Sequence, residues 1–64
     1  MGEHTPADVI RLRLRVQEEQ GVGITLAQKH CAKLLHTSLR SWQQWERGER
    51  AMHKAFYELA KIKV

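Results

Sequence analysis

Apolar residues fall in four runs of helical spacing along the chain, separated by short breaks. In the first run Val9, Leu12 and Val16 share one stripe, with Ile10 and Leu14 beside it. Thr5 can cap this run, Pro6 suits a first helical position, and Asp8 places an acid at the helix N-terminus. A helix is predicted from there to Gln20, ended by the glycines of the 21–23 stretch, with Thr25 as the next cap. The second helix is predicted over roughly 26–35, with Ala27, Cys31, Leu34 and Leu35 on one face and Lys29, His30 and Lys33 turned away. His36, Thr37 and Ser38 form a break, and Ser38 caps a third helix from about Leu39 to Arg47, stopped by Gly48. The last helix is predicted over roughly 52–62, with Met52, Phe56, Leu59 and Ile62 on its stripe. No strand, repeat or low-complexity segment is predicted.

The third helix has an unusual division. Both tryptophans of the 64-residue chain lie on it, three apart. At ~100° per residue from Leu39, Trp42 and Trp45 centre near ~270°, whereas Arg40, Gln43, Gln44 and Arg47 centre near ~90°. The tryptophans are therefore expected to anchor the helix in a core while long polar side chains project from the opposite side. Arginine and glutamine make paired hydrogen bonds to guanine and adenine edges in the major groove. Four such residues on one arc, with no acid among them, exceed what a solvated face needs.

Charge sharpens this picture. Three arginines and four acids give residues 1–24 a net −1, while eight Lys/Arg and three acids give residues 25–64 a net +5. A basic segment of this kind is a candidate nucleic-acid footprint. Sixty-four residues make one small domain, which buries only about 60% of the surface its unfolded chain exposes. One cysteine excludes an internal disulfide and fits a reducing, cytoplasmic setting. No apolar run approaches the ~20 residues that span a membrane. The N-terminus lacks the basic-then-apolar layout of a secretory signal. Its Met1-Gly2 start raises N-myristoylation, but nothing else in the chain suggests a lipid anchor.

Two short helices joined by a three-residue break make a helix-turn-helix pattern. The stretch "QKHCAKLLHTSLRSWQQWERGER" resembles the helix-turn-helix of Cro/C1-type (XRE-family) transcriptional regulators. Gln28 matches the glutamine that opens their second helix, Ala32 the small residue between the two helices, and Ser38 the recognition-helix cap. The run from Trp42 to Arg50 matches their end-of-helix signature, and "MHKAFYELAKI" looks like the fourth helix of small phage-type members. The likeness covers about residues 24–62.

The resemblance implies an all-α, compact four-helix, lambda-repressor-like DNA-binding domain over residues 1–64, with its helix-turn-helix at about 26–48. It also implies that the third helix enters the major groove of double-stranded operator DNA. Leu39, Arg40 and Gln44 are then the base-facing candidates, with Ser41 and Gln43 beside them. Gln28 would touch a phosphate and brace the recognition helix, and Thr37, Ser38, Arg47, Arg50 and Lys54 are further phosphate candidates. Glu46 should form a buried ion pair with a first-helix arginine, Arg13 as first choice and Arg15 as second. His36 stands where the family usually has glycine, so a left-handed conformation is expected there. Members of the group usually bind palindromic operators as dimers. A homodimer, formed in solution or only on DNA, is expected here, with Tyr57, Ile62 and Val64 as its apolar candidates and Phe56 assigned to the core.

Other chemistries find less support. His4, His30, Cys31, His36 and His53 lack structural-zinc spacing, so no metal and no other cofactor are expected. Cys31 reads as a small core residue. No nucleophile–base pair is supported, and a domain this small has little room for a catalytic pocket, so no enzyme is expected. RNA binding would favour exposed aromatics for stacking, whereas both tryptophans are predicted buried. The remaining rival is a protein-interaction module, antitoxin or adaptor-like, using the same fold.

Overall fold

The computed structural model describes residues 3–64, and for Glu3 the backbone only; Met1 and Gly2, which raise the acylation question, lie outside the described residues. Four helices make up the architecture: α1 (Pro6–Gln20), α2 (Ile24–Leu34), α3 (Leu39–Arg47) and α4 (Lys54–Lys63). Two short strands, β1 (Glu3–His4) and β2 (Met52–His53), pair antiparallel, Glu3 opposite His53 and His4 opposite Met52. This two-residue ladder is absent from the sequence expectation. It is too short to form a layer, and it ties the start of the chain to the segment before α4.

Local chemistry explains the helix ends. Thr5 and Asp8 form a reciprocal capping box at α1, and Pro6 occupies its first turn. The Thr5 backbone N–H holds the Asp8 carboxyl below its ordinary range. Gly21 ends α1 in the left-handed region at φ 63°. The cap of α2 differs from expectation: Gly23 precedes the helix without a side-chain bond, and Thr25 lies inside the first turn. Ser38 caps α3 by accepting the Ser41 N–H at 3.1 Å. His53 caps α4 through Nδ1, which accepts the Ala55 N–H at 3.0 Å. That cap moves the start of α4 beyond Met52, which belongs to β2.

The turn between α2 and α3 is closed by two backbone bonds, Thr37 N–H to Ala32 O at 2.9 Å and His36 N–H to Lys33 O at 3.1 Å. This is the Schellman arrangement, and it places His36 at φ 55°. His36 is the one described non-glycine residue with positive φ.

The core joins Val9, Leu12 and Val16 of α1, Ala27, Cys31 and Ala32 of α2, Leu35 of the turn, Trp42 and Trp45 of α3, Met52 and Ala60. Burial raises the Cys31 thiol to about 11, which keeps it protonated. Leu34 is only half-buried. The stripe of α4 departs from expectation in part: Leu59 packs against the core as expected, but so do Tyr57 and Val64, Ala60 is buried, and Phe56 and Ile62 are 39% and 82% exposed. Phe56 keeps one core contact, with its ring centroid 5.4 Å from that of Trp45. Tyr57 stacks on His4 at 3.7 Å, so the ladder and α4 hold each other. Among the described residues no helix is long and apolar enough to cross a membrane.

Candidate nucleic-acid interface

The position of α3 is fixed from its inner face. Trp42 is fully buried and Trp45 is 4% exposed, and their rings meet edge to face at 5.9 Å. The Trp42 indole Nε1 donates to Glu46 Oε2 at 2.6 Å. Arg13 approaches the same carboxylate with two donors, Nε to Oε2 at 3.1 Å and Nη2 to Oε1 at 2.9 Å. Its remaining nitrogen, Nη1, donates to Gln17 Oε1 at 2.7 Å. Arg15 instead pairs with exposed Glu19 on the outer side of α1. Burial disfavours the ionised Glu46, but hydrogen bonds from Arg13, Trp42 and Gln28, with the arginine charge, outweigh it and hold the carboxyl below its ordinary range. The hydrogen bond to Glu46 raises Arg13 above its ordinary value.

The outer side carries the predicted polar set. Arg40 is exposed, and Leu39, Ser41, Gln43 and Gln44 are half-buried. These five are not equally free. Ser41 is engaged with the cap, its Oγ accepting from Ser38 Oγ at 3.1 Å. Gln43 Nε2 donates to Gln28 Oε1 at 3.2 Å. Gln28 is itself only 8% exposed, so it acts as the brace between α2 and α3. Arg40 and Gln44 have no side-chain hydrogen bond or ion pair among the described residues, which leaves their donors available.

The phosphate candidates divide similarly. Thr37 is half-buried at the turn and Ser38 is exposed, its hydroxyl engaged in the cap. Arg47 pairs with Glu49 at 3.0 Å, with both side chains more than half exposed, a pair that screening weakens. Arg50 and Lys54 are exposed, and no ion pair among the described residues engages them. Beyond α3, His30, Lys33, Leu34, His36 and Lys63 line an open depression. The sequence pattern does not group them, because they come from three segments. Among the described residues no group of three or more His, Cys, Asp or Glu is placed to hold a metal ion.

No known family profile matches the chain. Over 41 residues, 64% of its length, it is 37% identical to the type II methyltransferase M.MspI of Moraxella sp.. The chain spans about a tenth of that curated relative.

Proposed function

We propose that the protein is a sequence-specific double-stranded DNA-binding regulator, a repressor with a lambda-repressor-like helix-turn-helix, that places α3 in the major groove of an operator. The observation that carries this reading is the division of α3. Its inner face is pinned by Trp42, Trp45 and the Glu46–Arg13 pair, while Arg40 and Gln44 stand unengaged outside. A rigid platform reduces the ordering cost of the side chains that read bases. Arg40 has the geometry to pair with guanine O6 and N7, and Gln44 with adenine N6 and N7. Arg47, Arg50 and Lys54 would supply phosphate contacts, which add affinity and salt sensitivity. Occupying a palindromic site as a homodimer in the cytoplasm would then block or adjust transcription, with no catalysis and no cofactor required.

The match to a methyltransferase does not extend methyl transfer to this chain. Its 41 residues fall below the ~50 of the smallest typical domains. A protein-interaction role is the second reading, favoured by exposed Ile24 and Leu26 at the start of α2.

Selection from a random duplex library at moderate salt tests the proposal. A palindrome with half-sites about one helical turn apart is the expected result. Recovery of no preferred sequence would place the protein-interaction reading first.

A further inference from the structure

The depression lined by His30, Lys33, Leu34, His36 and Lys63 lies at the C-terminal ends of α2 and α4, and its volume is about 340 Å³. That is the lower end of the ~300–1,000 Å³ of small-ligand pockets. Its lining brings two ammonium groups and two imidazoles together with the apolar side chain of Leu34, and no acid is among the described lining residues. No described ion pair engages Lys33 or Lys63, and both are exposed. His30 is held at the rim by Gln20, nitrogen to nitrogen at 3.2 Å. We propose that this depression is a binding site for a small organophosphate, its anionic end on Lys33, Lys63 and the imidazoles and its apolar part on Leu34.

Helix polarity works against the site and loses. Each helix C-terminus carries roughly half a negative elementary charge. At α2 part of that charge is already answered, because N–H groups of Leu35, His36 and Thr37 take the carbonyls of Cys31, Ala32 and Lys33. The two full lysine charges therefore dominate the local field. The site shares no residue with the base- and phosphate-contact candidates, so it does not rest on the DNA-binding reading.

The test is a titration of the whole protein with phenyl phosphate, followed by amide and side-chain NMR, with inorganic phosphate as comparison. Saturable shifts confined to the five lining residues are expected, with phenyl phosphate tighter than inorganic phosphate. The double variant Lys33→Gln/Lys63→Gln should bind phenyl phosphate roughly tenfold more weakly. Both positions are exposed, so its melting curve should match the wild type. Equal shifts at Arg40, Arg50 and Lys54 would overturn the proposal, as would unchanged affinity in the double variant. A random-sequence duplex that shifts the five residues while phenyl phosphate does not would also overturn it, by making the depression part of a DNA footprint.

Discussion

Trp42 and Glu46, one turn apart on α3, share a 2.6 Å hydrogen bond from the indole nitrogen to a carboxylate oxygen that Arg13 also holds. One acid thus orients the largest core side chain and clamps α3 to α1. Its two oxygens meet three donors from Arg13 and Trp42, with Gln28 adding to the carboxylate's stabilisation. Removing one partner is consequently not equivalent to removing the pair.

Arg13→Met should destabilise the protein by ~3–5 kcal/mol, because it leaves a buried carboxylate without its cation. Arg13→Met/Glu46→Gln should recover part of that loss, since the neutral amide still accepts from Trp42. Urea unfolding of both variants measures the difference. A double variant no more stable than Arg13→Met would show that charge compensation is not what the arginine supplies.

Acid should weaken the fold through the same residue. The Glu46 carboxyl is held below its ordinary 4.5 in the folded protein. The folded state therefore binds fewer protons than the unfolded chain across that interval. Stability from this group is full above the unfolded value and is lost as pH falls through the folded one. Asp8 is lowered too, chiefly by its bond from the Thr5 backbone, and adds to the same acid sensitivity. Glu46→Gln should flatten the decline in unfolding midpoint below about pH 5, leaving the Asp8 share. Parallel declines in wild type and variant would remove Glu46 from the account.

Trp45→Ala should cost ~3–5 kcal/mol by opening a cavity between Trp42 and Phe56. That is a large share of the ~5–15 kcal/mol of a typical domain. Thermal unfolding by circular dichroism reads the effect. A near-normal melting temperature would mean that α3 does not depend on this face for its anchorage.

Arg40→Ala should lose roughly 1–3 kcal/mol on the selected operator and relax the preference at one base pair. Binding to a panel of single-base operator variants distinguishes a base contact from a phosphate contact. Uniform weakening across the panel would reassign Arg40 to the DNA backbone.

His36→Gly should leave stability nearly unchanged or raise it by up to about 1 kcal/mol. Glycine relieves the left-handed strain of a side-chain-bearing residue but adds freedom to the unfolded chain. Urea midpoints report the net effect. A marked loss would mean that the imidazole itself supports the turn.

The helices whose ends carry dedicated chemistry were legible in the sequence. Thr5, Pro6, Asp8 and Gly21 bound α1, and Ser38 and Gly48 bound α3. α4 was less legible because its apolar residues cover a broad arc. The 56–59–62 stripe and the 57–60–64 stripe both fit helical spacing, and the packed face takes Leu59 from the first together with the whole of the second. The small side chain of Ala60 permits burial, yet hydropathy gives it little weight. The two-residue ladder is too short to produce an alternating pattern. Arg13 did leave a signal: with Val9, Leu12 and Val16 it completes one continuous stripe, so an arginine inside an apolar face marked the ion-pair partner. Gln17 follows it one turn later. What spacing could not reveal is which polar side chains on α3 are already occupied, since Gln43 is engaged by a residue fifteen positions away.

The pairing of His4 with Met52 also governs how the domain can be joined to other polypeptides. A reporter or linker fused ahead of Glu3 would emerge beside the first turn of α4, and one fused after Val64 would leave from that helix's far end. Ten residues of helix separate those exits by ~15 Å. Attachment at either end thus bears on one helix, and at the N-terminal exit it falls beside Lys54, one of the phosphate candidates.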